Sequence, residues 1–115
     1  MINVRVNGKK FKLLLNDSVA AREFRDSLPL TLKMSDVNRN EKYAVLDRDF
    51  TSDNRRARKI HSGDLKLWAG NGLVLFYDDF SSSYSYTDLG KMTDSSGLAE
   101  CLGRSSITVT FEEEN

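Results

Sequence analysis

Apolar and polar positions alternate in two short runs at the start of the chain. Ile2, Val4 and Val6 are separated by Asn3 and Arg5, and Phe11, Leu13 and Leu15 alternate with Lys10, Lys12 and Leu14. A period of two marks a strand with one face in a core. Between the runs lies Asn7-Gly8, a residue pair suited to a two-residue type I′ turn, so the chain is predicted to open with a β-hairpin.

The period then changes. Ala20, Phe24 and Leu28 fall at helical spacing behind Asn16-Asp17-Ser18, whose side chains suit an N-cap, and Pro29 ends that helix. Leu30–Met34 resumes as a strand. Ser35–Asn40 is turn chemistry, Tyr43–Leu46 a short strand, Thr51–Asn54 a loop, and Arg55–Lys59 a basic run expected to be a solvated loop. Leu65–Ala69 and Leu73–Tyr77 flank Gly70-Asn71-Gly72, a second hairpin signal. The second arm is apolar throughout, as in a strand covered on both faces. Tyr84, Tyr86 and Leu89 mark another strand. Asp94-Ser95-Ser96 can cap a short helix through Leu98 and Leu102, with Gly103 beyond its end. Ser106–Phe111 closes the chain as a strand, before a solvated Glu112–Glu114 tail. About eight strands joined by tight turns, with two short helices, favour a barrel or sandwich.

The 115 residues suit one domain spanning 1–115, and a hydrophobic content of 39% with 30% charged residues suits a folded globular chain. Seventeen basic and seventeen acidic residues cancel, so no overall field draws the chain to nucleic acid or to an anionic membrane. No apolar run approaches the ~20 residues of a membrane-spanning helix. The N-terminus reads as a strand and not as an export signal, so a cytoplasmic location is expected; the alternative is a chain whose leader has been removed. Cys101 is the sole cysteine and His61 the sole histidine, which leaves no basis for a disulfide or a cysteine- or histidine-rich metal site. No metal or cofactor is expected.

Chemistry concentrates in two places. Phe76-Tyr77-Asp78-Asp79-Phe80 and Tyr84-Ser85-Tyr86-Thr87 crowd rings and hydroxyls together, as a binding cleft or a partly wet core edge requires. Ser35, Asp36, Asn38 and Glu41 form a polar loop that lacks the calcium-loop pattern, with Tyr43 just beyond it. If this loop folds over a barrel mouth, Glu41 and Tyr43 face a ligand; otherwise Glu41 neutralises Lys42 or Arg39 at the surface. His61, Ser62 and Asp64 have the residue types of a hydrolase triad without a nucleophile elbow, and a turn-capping role is the simpler expectation. Trp68 alternates with Leu67 and so points away from the leucine face.

Several segments together resemble the small prokaryotic cyclophilin-like proteins, most of which have no assigned activity. They are Leu28–Leu32, Met34–Asn38, Asn40–Tyr43, Ser62–Leu65, Leu73–Tyr77 and Tyr84–Gly90. The resemblance implies a mainly β fold, a closed eight-stranded barrel with two short helices. True cyclophilins isomerise the bond before proline with an arginine beside an apolar pocket. Their motifs (Phe-His-Arg, Phe-Met-x-Gln-x-Gly-Asp, Phe-x-Met-Ala-Asn) are not intact here, and Ile60–Asp64 shares only a Gly-Asp pair. No catalytic residue is transferred. The expected function is a non-catalytic module that binds a peptide or small molecule, as a monomer or weak homo-oligomer. Its expected ligand contacts are Ser35, Asp36, Asn38, Glu41, Tyr43, Phe76, Tyr84 and Tyr86. The alternatives are a weak or divergent peptidyl-prolyl isomerase and an accessory protein that only presents a surface.

Overall fold

In the computed structural model, which describes residues 1–114, the alternating strands wrap one sheet onto itself. Strand β1 (Ile2–Val6) pairs antiparallel with β2 (Lys9–Leu15), and Asn7 and Gly8 between them both take positive φ, as the type I′ turn demands. Helix α1 (Val19–Asp26) starts where the Ser18 hydroxyl accepts the Ala21 N–H at 3.1 Å, and it buries Ala20, Ala21 and Phe24. The remaining elements are β3 (Leu30–Val37), β4 (Glu41–Val45), β5 (Arg55–Ile60), β6 (Asp64–Trp68), β7 (Gly72–Phe76), β8 (Phe80–Met92), α2 (Leu98–Leu102) and β9 (Ile107–Glu113).

Eight strands close the barrel in the order β2-β1-β9-β3-β4-β7-β6-β8, and β8 returns to β2. All of these pairings are antiparallel. The seam is tightest at Gly90, which lies opposite Leu15 on one side and Leu65 on the other. A β-carbon there would fall 2.3 Å from the Leu14 carbonyl oxygen, so only glycine fits between the two strands.

The interior is filled by Ile2, Val4, Leu13, Leu65, Leu67, Leu73, Leu75 and Val109, with Phe24 from α1 and Leu98 and Leu102 from α2. Phe24 meets Phe111 and Phe50 edge-on, at 5.7 and 6.5 Å between centroids. A second apolar cluster joins Ile60, Val74, Phe76 and Tyr86, with Tyr43, Ala57 and Phe80 against it. Val74 and Phe76 alternate with the interior Leu73 and Leu75, so this cluster sits on the outside of the barrel wall. The covered-on-both-faces character of Leu73–Phe76 has this cause.

The cover is an arm made of β5 and the first half of β8. Arg55–Lys59 is thus a strand and not the expected loop. It pairs with β8 from Arg55↔Tyr86 to Ile60↔Phe80 through a bulge at Ala57, and Arg55, Arg56, Arg58 and Lys59 remain exposed. Charged side chains on an edge strand of this kind discourage pairing with other chains. The strand expected around Tyr84 is longer, 13 residues from Phe80 to Met92, because Ser81–Ser85 serves as the ladder for β5. Ser35–Val37 belongs to β3, and the turn is confined to Asn38–Asn40, where Asn38 and Arg39 take positive φ. The acidic tail is also more ordered than expected. β9 runs to Glu113, and Glu112 and Glu114 lie 3.6 and 2.5 Å from Arg5 and Lys12.

Candidate functional site

Alternation along three neighbouring strands decides what the outer wall displays. Lys42 and Ala44 of β4, Leu65 and Leu67 of β6, and Leu73 and Leu75 of β7 face inward or are buried. Glu41, Tyr43, Trp68 and Val74 therefore face outward on the same patch, with Val37 of β3 opposite Glu41. The arm closes over this patch from β8, where Tyr84 and Tyr86 share a face. Tyr86 is buried and stands edge-on to Phe76 at 5.6 Å, whereas Tyr84 is 65% exposed.

The gap between wall and arm is a cleft of about 330 Å³ lined by Val37, Asn38, Glu41, Tyr43, Trp68, Val74, Tyr84 and Tyr86. That is the low end of the range for small-molecule sites, with room for one side chain or a compact molecule. Asn38, Glu41, Tyr43, Tyr84 and Tyr86, expected as ligand contacts, meet there. Ser35, Asp36 and Phe76 do not line it. Ser35 is exposed on β3 and Phe76 is fully buried beneath Tyr86 and Phe80. The cleft also lies on the barrel's side and not at its mouth: the rings at 76 and 86 point outward, where rim-facing rings were expected. Trp68, Val37 and Val74 complete the lining. Outward alternation already singled out Trp68, while Val37 and Val74 give no signal beyond apolarity.

Asp36 has a different task. It faces the opposite way from Glu41, toward Lys42, whose side chain is wholly buried. The Lys42 ammonium donates to Asp36 Oδ1 at 3.0 Å and to the carbonyls of Gly103 and Ser105 at 2.9 and 2.6 Å, and it lies 5.4 Å from the centre of the Tyr77 ring. All three of its protons are used. Tyr77 donates its hydroxyl to the same Asp36 oxygen at 2.6 Å. Burial pushes the Asp36 carboxyl up, but the bonds from Tyr77 and Lys42 outweigh it and hold the group below its usual value. Burial and the bond to Asp36 lift the Tyr77 hydroxyl to about 12. This constellation ties the segment after α2 to the β3–β4 hairpin. The alternative of surface neutralisation of Lys42 by Glu41 gives way to it.

Glu41 has no such partners. No salt bridge reaches it among the described residues. Burial first, and the charge of Asp36 second, push its carboxyl up to about 7. Burial likewise raises the Tyr86 hydroxyl, with the Glu41 charge adding to it.

A family model described as the cyclophilin-like family matches residues 4–112. The chain belongs to the cyclophilin-like family. Among solved structures, it is similar to the solution structure of a hypothetical protein from Archaeoglobus fulgidus. The TM-score is 0.63 at 17% identity, over 98% of this chain and 93% of that one, a likeness of fold alone. No curated protein matches the chain in sequence.

Within this cyclophilin-like barrel, the cleft lining includes no arginine, the group that proline isomerisation in true cyclophilins places beside its pocket. The other candidates stay apart. The His61 ring is exposed with Nδ1 4.0 Å from Asp64, whose carboxylate accepts the His61 backbone N–H at 2.9 Å, while the Ser62 N–H goes to Asp79. Asp64 is thus the turn cap, and no triad forms. Cys101 directs its thiol to the Val6 carbonyl at 3.2 Å. Among the described residues, no group of acidic, histidine and cysteine side chains is placed to hold a metal ion, and no helix is long and apolar enough to cross a membrane.

Proposed function

We propose that this chain is a binding module that takes a peptide side chain or a compact small molecule into the cleft on its outer wall. One observation carries the reading: Tyr43, Trp68, Tyr84 and Tyr86 converge with Glu41, a carboxylate lacking any salt-bridge partner among the described residues, around a single cleft. Rings offer apolar area with polar tips, and an unengaged carboxylate is an unmet bonding capacity aimed at whatever enters. The isomerase alternative has less support, since its arginine has no counterpart in the lining.

The test is amide shift mapping on the ¹⁵N-labelled protein with two probes, a random pentapeptide mixture and a fragment set of neutral, cationic and anionic molecules. Shifts are expected at 37–43, 68, 74 and 84–86, and a Tyr84→Ala variant, truncated at an exposed ring, is expected to stay folded and lose them. Shifts confined to other surfaces, or none with either probe, would overturn the reading.

A further inference from the structure

We infer that the ligand of this cleft is an organic ammonium ion, held by the faces of Tyr43, Trp68 and Tyr84 and by the Glu41 carboxylate. This deepens the binding-module reading and rests on it.

Charge complementarity favours a cation. Aromatic faces are negative, and a cation within about 6 Å of a ring centre is attracted more strongly as water is excluded. A neutral apolar ligand would want rings alone, and an anionic one would be repelled by Glu41. The cleft adds one carboxylate to its rings and supplies no cation of its own. Arg39, in the turn beside Asn38, is exposed and does not line the cleft, and the basic groups of the neighbouring strands are committed or turned away. Lys42, next in sequence to Glu41, points to the opposite face and spends its protons on Asp36, Gly103 and Ser105. Lys66, opposite Val74 on the same wall, is held by Asp88. Arg56, Arg58 and Lys59 line a separate open groove with Ser81, Ser82 and Ser83. The neighbouring charge that Glu41 feels is another carboxylate, Asp36. Asp36 already has Lys42, so a cation between the rings would compensate Glu41.

A metal ion fits poorly: the lining holds a single carboxylate, and among the described residues no group of three or more acidic, histidine or cysteine side chains is placed to bind one. An alkylated ammonium needs no such group, only rings and a single counter-charge. The ammonium has two sources, a free small molecule or a lysine-type side chain on a peptide.

Trp68 is the only tryptophan, so its emission reports occupancy of the cleft directly. The probes are choline, its neutral isostere 3,3-dimethyl-1-butanol, and a pentapeptide carrying trimethyllysine or leucine at its centre, with amide shifts recorded in parallel. Choline or the trimethyllysine peptide is expected to change the Trp68 emission saturably. The neutral isostere and the leucine peptide are expected to bind at least about tenfold more weakly. At pH 8 and above, where the Glu41 carboxyl is ionised, Glu41→Gln is expected to cut cation affinity by about tenfold while leaving the isostere unchanged. Preference for choline over the peptide identifies a free cation as the source, and the reverse identifies a peptide.

Equal binding of cation and isostere, or cation binding untouched by Glu41→Gln, would overturn the ammonium assignment and leave the binding-module reading standing. Binding of neutral fragments in the cleft without either cation would do the same. No binding of any probe there would remove both.

Discussion

The Tyr43 ring occupies the space that a side chain at Gly72 would fill: a β-carbon built on Gly72 would fall 2.5 Å from Tyr43 Cε1 and 2.8 Å from its hydroxyl oxygen. The two residues are diagonal neighbours on β4 and β7, since Tyr43 pairs with Val74 and Gly72 with Val45. Diagonal positions are within reach of an aromatic side chain. The bare backbone at 72 lets the ring settle on the wall and form one side of the cleft.

Gly72→Ala should therefore act on the cleft and not on the fold. The two nearest atoms belong to the far end of a side chain that can swing aside, and the Trp68 carbonyl oxygen at 3.0 Å has to give by only a few tenths of an ångström, so the cost in stability is expected to stay at about 1 kcal/mol. Displacement of Tyr43 is expected to change the Trp68 emission and to weaken cleft ligands by about tenfold. Denaturant melts alongside Trp68 fluorescence check both. Unchanged fluorescence and affinity would mean that Tyr43 is not a wall of the site.

Glu41 makes stability depend on pH in a direction opposite to that of most carboxylates. Its pKa rises from 4.5 to about 7 on folding, so the folded protein holds the proton more tightly than the unfolded chain. The resulting contribution is complete below about 4.5 and is lost as pH rises through about 7. Asp36 has the reverse sign: its depressed value gives stability above the usual carboxylate range that is lost as pH falls through the folded-state pKa. Glu41→Gln removes only the first of these. The variant is expected to melt at a higher temperature than the parent at pH 8, with the gap closing by pH 4.5. Thermal melts across this range decide it, and a gap that does not change with pH would contradict the assignment.

Lys42→Met should be among the most damaging single changes. Methionine matches the length of the stem but leaves Asp36 without its cation and the Gly103 and Ser105 carbonyls without a donor. Breaking a buried ion pair costs about 3–5 kcal/mol. The expected readout is a loss of that size in denaturant unfolding, with hydrogen exchange quickening first in the segment between α2 and β9. A loss below about 1 kcal/mol would show that the ammonium is not structural.

Tyr86 lines the cleft and packs its ring edge-on against Phe76. Tyr86→Phe retains the edge-on contact with Phe76 and is expected to fold with little change. Tyr86→Ala opens a cavity beneath the arm and is expected to cost about 3–5 kcal/mol, the usual range for truncating a buried aromatic. Calorimetry of the two variants checks the difference. Tyr86→Ala is thus a probe of the arm, and loss of binding in that variant says nothing of the hydroxyl.

Much of the architecture was legible because it rests on local rules. The Asn7-Gly8 turn, the alternation of Ile2, Val4 and Val6, the Ser18 cap and the doubly covered Leu73–Phe76 run are each set within a few residues. The features that escaped depend on distant partners. Arg55–Lys59 carries no apolar alternation, and only the long β8 gives it a ladder. The burial of Lys42 requires, besides Asp36 across the hairpin, Tyr77, Gly103 and Ser105, which lie far along the chain. The aromatic cluster at 76–86 and Glu41 with Tyr43 were visible as candidate chemistry. Their meeting place was not, because alternation assigns residues to a face without saying that an arm will fold over that face from outside.

Crystals of the protein soaked in the fragment set test the central claim most directly, because they locate bound molecules without assuming their chemistry. Occupancy is expected between Tyr43, Trp68 and Tyr84, with a polar or cationic atom of the fragment against the Glu41 carboxylate. Fragments gathering instead in the groove beside Arg56 and Ser82, or at the barrel ends, with the outer-wall cleft empty throughout, would contradict the account.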